Sequence, residues 1–196
     1  MFPIVLIHDC VDRSAIDGAP ANVFDPPIAI TQQVHIGRED GGMAGNAEAK
    51  LNTLGIELPA APAPAANYVP YVVSGNMLYI SGQISVAPGG TAHKGRLGED
   101  MDVAAGQAAA RQCAINILAQ AKAALGDLDR AARLVKLGAF VSSTTDFTEQ
   151  PAVVNGASDL MVEVFGDAGR HARFAVGAPV LPLGVAVEID AVFEIA

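Results

Sequence analysis

"HARFAVGAPVLPLGVAVEIDAVFEI", residues 171–195, is the stretch on which the reading of the chain turns. In its second half Val185, Val187, Ile189, Ala191, Phe193 and Ile195 recur at every second position, while Glu188, Asp190 and Glu194 alternate with them beside Ala186 and Val192. A period of two is the mark of a β-strand with one face in the core. A shorter strand, about 172–177, precedes it, separated by "PVLPLG". Arg173 stands at its head and is opposite in parity to Phe174 and Val176. If those two pack against helices, the guanidinium projects from the other side of the sheet. A guanidinium keeps its charge, so in a dry cleft it needs an anion. Glu188 or Asp190 could supply one as an ion pair, and a ligand carboxylate could equally do so through two parallel hydrogen bonds.

Working outward, "RLVKLGAFVSS" (133–143) is β-rich, and "YVPYVVSGNMLYISGQISV" (68–86) holds two β-rich runs around "SGN", a hairpin signal. Between these strands lie two helical spacings. Val103, Ala110, Ala114, Ile117, Ala121 and Leu125 form one stripe, stopped by Gly126; Val154, Ala157, Met161 and Val164 form the other. The order β-β-α-β-α-β-β defines an α+β domain with two helices on one face of a mainly antiparallel sheet. The hairpin and the 133–143 run carry apolar groups on both faces, yet two helices roof only one. A second subunit is expected to cover the other, with Glu188 near that interface.

The domain is expected over 43–196. Residues 44–54 read as a short helix ended by Gly55, and "PAAPAPAA" (59–66) as a stiff polyproline-like connector. Residues 1–42, with six acidic and two basic residues and no sustained period, read as an extension carrying one or two short strands. No apolar run reaches the ~18 residues that span a bilayer, and "MFPIVLIHDC" lacks the features of a signal peptide. A cytoplasmic location follows as the expectation, consistent with Cys10 and Cys113 as free thiols. A net charge of −9 disfavours binding to phosphate backbones. His8, Asp9, Cys10 and Asp12 match no metal-ligand spacing, so no metal is expected. Cys113 reads as a packing residue, and His171 as a surface or hydrogen-bonded histidine.

"YVPYVVSGNMLYISGQISV", "FVSSTTDF", "VVNGASDLMVEVFG" and "HARFAVGAPVLPLGVAVEIDAVFEI" together resemble the RidA/YjgF family of imine and enamine deaminases, once named for an endoribonuclease activity. The resemblance covers about residues 67–195 and is closest to a branch with the longer "GRLGED" loop. It implies a chorismate-mutase-like homotrimer with clefts between subunits, and hydrolysis of small imines such as iminopyruvate, the tautomer of 2-aminoacrylate, without metal or organic cofactor. By the same resemblance Arg173 holds the substrate carboxylate and Glu188 activates water. Tyr68, Ser81, Gly82 and Asn155 line the pocket, and backbone near Ala175 meets the imine. Two departures bear on the substrate. Phe174 and Ala175 stand where a small polar residue and a cysteine often occur, which removes a thiol nucleophile, and Val180 replaces a frequent arginine. A non-catalytic trimeric binder of small carboxylates is the alternative, and an endoribonuclease a weaker one.

Overall fold

The strand and helix periods are realised almost where the residues put them. A computed structural model describes residues 46–61, 63, 67–90 and 92–196. The extension 1–42, with Cys10 and the His8–Asp12 group, lies outside the described residues, as does part of the connector. Helix α1 (Asn46–Thr53) buries Ala47 and Leu51. The hairpin follows as β1 (Tyr71–Ser74) and β2 (Met77–Ile84), turning at Gly75 with φ +60°, a left-handed conformation that costs glycine little. The first strand starts later than "YVPYVV" suggests, because Pro70 has no N–H to donate to a ladder.

Helix α2 (Val103–Leu125) is capped by Asp102, whose carboxylate accepts from the Ala105 N–H, and it ends at Gly126. Then come β3 (Ala131–Ser142), α3 (Gln150–Phe165), β4 (Ala172–Ala178) and β5 (Val187–Ile195). The five strands form one sheet in the order β1-β2-β5-β3-β4, antiparallel except for the parallel β3–β4 pair. The element order β-β-α-β-α-β-β and the two helices on one face are those the sequence predicts, and α1 upstream falls within the short helix expected over 44–54.

On the helix side Val187, Ile189, Ala191 and Phe193 of β5 meet Leu137, Ala139 and Val141 of β3, Leu78 and Ile80 of β2, and the predicted stripes of α2 and α3. Close approach of the two helices depends on Gly156. A Cβ there would lie on the Gln107 carbonyl oxygen of α2, a backbone atom that no side-chain rotation can move. Gly156→Ala should therefore lower stability by about 2 kcal/mol, read as a lower midpoint of chemical denaturation with an unchanged slope.

The opposite face of the sheet has no helix over it. Tyr79, Phe140 and Val176 remain 47%, 43% and 43% exposed there, so one chain leaves this apolar surface in water. On the same face Phe174 packs edge-on against Phe140, with ring centroids 5.6 Å apart, and Lys136 Nζ lies 5.3 Å from the Phe174 ring centre. The expectation that Phe174 and Val176 pack with the helices is thus reversed. Strand alternation fixes that Arg173 opposes them but not which side each takes. The aromatic partner Phe140, reached across Gly138, draws Phe174 to the open face. Arg173, in register with the buried Leu137, takes the helix side.

Candidate active site

Glu188 sits on the open face of the central strand β5, opposite Ile84 of β2 on one side and Phe140 of β3 on the other. Between Ile80 and Gln83 the β2–β5 register shifts, and Gly82 falls in that irregularity. The Glu188 carboxylate lies directly over Gly82, in the space a Cβ would occupy, so glycine is what admits it. Burial raises the Glu188 pKa, and the neighbouring Asp190 charge raises it further. Burial also raises that of Asp190, opposed by the Lys136 ammonium and a backbone hydrogen bond. Among the described residues neither carboxylate makes a salt bridge.

Glu188 opens onto a cleft of about 750 Å³. Tyr68 and Gly82 line it with Glu188, together with Pro182, Leu183 and, from the connector, Pro59 and Ala60. Ser81 fastens this end. Its hydroxyl donates to the Val69 carbonyl at 2.8 Å and its N–H to the Pro70 carbonyl at 3.0 Å, which holds the Tyr68 segment beside β2. Helix α2 closes the floor with Asn116 and Gln120, two residues the sequence reading left out. Asn116 Nδ2 donates to the carbonyls of Ile84 and Val86 at 3.0 and 2.9 Å, tying the end of β2 to the helix. Polar residues four apart on an otherwise apolar helical face were the available signal.

Arg173 is elsewhere in the chain. It belongs to β4, at the far edge of the sheet, and its guanidinium donates from Nη1 to Ser158 Oγ (2.9 Å) and from Nη2 to the Pro151 carbonyl (3.0 Å). Both acceptors are neutral and both belong to α3. The ion pair of Arg173 with Glu188 or Asp190 does not form within one chain. Pro151, Asn155 and Ser158 are spaced i, i+4, i+7 and share one stripe of α3, on which Asn155 is exposed. Ala175 lies two residues along β4, partly buried against the core.

The predicted residues therefore fall into two groups. Tyr68, Ser81, Gly82 and Glu188 gather at the β2–β5 cleft; Arg173, Asn155 and Ala175 gather at the β4–α3 edge. From the register, Glu188 faces Phe140, Phe140 faces Val176, and Arg173 is three residues before Val176. Two strand spacings across and three residues along put their Cα atoms about 14 Å apart, on opposite faces of the sheet. One chain cannot grip both ends of a three-carbon acid with these two groups.

Cys113 is fully buried, and its Sγ lies 3.4 Å from the Val187 carbonyl. Burial raises its pKa, with the Glu188 charge adding to the effect, so it stays a protonated packing thiol. No helix among the described residues is long and apolar enough to cross a membrane.

Comparison with known proteins agrees with this architecture. Residues 48–194 match the YjgF/chorismate-mutase-like family, whose description also names an endoribonuclease. Protein TCP17 of Trypanosoma cruzi is 55% identical over 153 residues, which cover 78% of this chain and 96% of that protein. Among solved structures, Atu1372 of Agrobacterium tumefaciens, a protein of unknown function, is 52% identical with a TM-score of 0.72, covering 76% of this chain and 92% of that one. TdcF of E. coli, solved with bound serine, is 26% identical with a TM-score of 0.52, covering 70% and 94%.

Proposed function

This chain belongs to the YjgF/chorismate-mutase-like family, and from that premise we propose that it hydrolyses small imine and enamine intermediates of the 2-aminoacrylate/iminopyruvate type to keto acid and ammonia. The observation that carries the reading is the Glu188 carboxylate, held over Gly82 with a raised pKa at the mouth of a cleft beside Tyr68. A desolvated carboxylate without a cationic partner among the described residues is a stronger base than one in water.

Iminopyruvate carries an electrophilic C=N carbon next to a carboxylate. Glu188 takes a proton from water as the water oxygen bonds to the carbon of the N-protonated imine, giving a neutral carbinolamine. The same proton, returned to nitrogen, makes an ammonium leaving group; as the C–N bond breaks the carbinolamine hydroxyl gives its proton back to Glu188, ammonia leaves and the carbonyl of pyruvate remains. A pKa raised toward neutrality suits both halves of this transfer. Arg173 binds the substrate carboxylate and so fixes the carbon relative to the water. No step calls on a metal or an organic cofactor.

Glu188 and Arg173 are too far apart in one chain, so in this reading the β4–α3 edge of one subunit completes the β2–β5 cleft of another. The apolar face carrying Tyr79, Phe140 and Val176 is the surface that association would cover, in the homotrimer that the family resemblance implies. Serine bound to TdcF supports a ligand of this size and charge, a three-carbon acid with nitrogen on the second carbon. The ribonuclease reading finds less support: Val180, 70% exposed, offers no charge to a phosphate, and the chain carries a net −9.

The test is ammonia release from iminopyruvate generated in place by an amino-acid oxidase. The protein should accelerate it above the spontaneous rate. Melting shifts with small carboxylates and no change in rate would select the binding protein instead.

A further inference from the structure

The guanidinium of Arg173 is one end of a chain of hydrogen bonds whose directions are all fixed. His171 Nδ1 lies 2.6 Å from the Gly169 carbonyl oxygen, which can only accept. Nδ1 therefore carries the ring proton, and in the neutral ring Nε2 is left as an acceptor. Nε2 lies 3.1 Å from Ser158 Oγ, so the Ser158 hydroxyl donates to it. That turns the hydroxyl lone pairs toward Arg173 Nη1, which donates to Oγ at 2.9 Å. Burial lowers the His171 pKa; the Gly169 hydrogen bond opposes this and the Arg173 charge adds to it, so the ring stays neutral near pH 7.

The origin of the chain is set by backbone packing. Gly169 is buried where a Cβ would lie on the Met161 carbonyl, so the turn after α3 passes directly over the helix and presents its carbonyl to His171. Arg173 is thereby strapped twice, by Ser158 and by the Pro151 carbonyl. Two of its five N–H groups are used in this way, and three remain for a ligand.

We propose that Ser158 and His171 are positioning residues for Arg173, a relay from the Gly169 carbonyl through imidazole and hydroxyl that holds the guanidinium in one rotamer before a substrate carboxylate arrives. This rests on the reading of Arg173 as the carboxylate anchor. An arginine free to turn loses rotamer freedom on binding and grips more weakly; one already held does not. The relay acts on affinity and leaves the reacting carbon to Glu188.

The experiment measures the Kd of pyruvate by calorimetry, alongside the steady-state constants for iminopyruvate. Ser158→Ala is expected to raise the Kd and KM about tenfold, the scale of a lost hydrogen bond to a charged group, with kcat within about twofold. Ser158→Thr, which keeps the hydroxyl, restores both. His171→Phe shifts them in the same direction, and the double variant is no worse than Ser158→Ala alone, because both substitutions cut one chain. Arg173→Ala is the arm that separates the two ideas. If it binds pyruvate as wild type does, the anchor reading fails and the relay with it. If Arg173→Ala loses binding while Ser158→Ala and His171→Phe keep the wild-type Kd, the relay alone is overturned. Equal, additive losses from the two relay variants, or a fall in kcat with KM unchanged, also overturn it.

Discussion

Arg173→Ala brings ammonia release from iminopyruvate down to the uncatalysed rate, a loss of at least ~100-fold in kcat/KM. The size follows from what the side chain supplies: among the described residues of the proposed site, the only group that can fork onto the substrate carboxylate and so aim its C=N carbon. Arg173→Lys recovers a small part of the rate, because an ammonium gives a point charge without the planar pair of donors. Stability should fall only modestly, since the bonds that are lost run to two neutral oxygens at a partly exposed sheet edge. Losses of that kind are worth about 1.5 kcal/mol each, the low end for a charged donor, because water can replace the guanidinium there. A folded Arg173→Ala protein that still matches the parent rate removes the anchor, and with it the chemistry proposed for this site.

Glu188→Gln is expected to lower kcat by ~10²–10⁴-fold while leaving pyruvate binding intact, since the amide fills the same space over Gly82 but cannot take a proton. The pH dependence follows from the direction of the shift. Burial raises the Glu188 pKa, and the basic form is the active one. The rate of the parent protein therefore falls with decreasing pH at values above the ordinary carboxylate range, and this limb disappears in the residual activity of Glu188→Gln. The stability effect has the opposite sign. A carboxylate whose folded pKa is raised is charged at a cost to the folded state above that pKa, and the cost is relieved as pH falls through it. Glu188→Gln should then melt higher than the parent at pH 8, with the gap closing in acid. A variant with the parent rate and the parent pH profile sinks the role of Glu188 as base.

The two variants also report on who supplies which half of the site. Chains carrying Arg173→Ala retain Glu188, and chains carrying Glu188→Gln retain Arg173. If the halves meet between subunits, co-assembled mixtures of the two inactive proteins should recover about a quarter of the parental sites by random pairing. Recovery near zero in verified mixed assemblies would place both groups on one chain and contradict the separation read from the strand register.

The helices and strands were legible because their signal is local. The stripe from Val103 to Leu125 and the alternation from Val185 to Ile195 each lie within one element, and the structure buries them accordingly. Glu188 was legible from the alternation of its strand, and the rest of the cleft group only through resemblance. Tyr68 and Gly82 have no pattern of their own, and Gly82 matters because the carboxylate of a residue 106 positions later needs its missing Cβ. Asn116 and Gln120 were missed because they read as two polar interruptions of an apolar helix until β2 and the cleft lie against them. His171 read as a surface or hydrogen-bonded histidine, and the structure gives it hydrogen bonds to Ser158 and Gly169. Its partner Ser158 stands on another element, thirteen residues earlier, and carried no signal at all.

By itself the sequence determined the order of elements, the core side of β5 and the family, because hydrophobic period and a long run of ordered motifs are properties of the chain read end to end. Only the tertiary structure decided which face each β4 side chain takes. Alternation says that Arg173 and Phe174 must diverge, but the choice between the two sides belongs to what each meets there. Phe174 meets Phe140 across a glycine, and Arg173 meets the polar stripe of α3. That choice, made by contacts between elements distant in sequence, sets Arg173 apart from Glu188 and leaves each chain holding both groups beyond one another's reach.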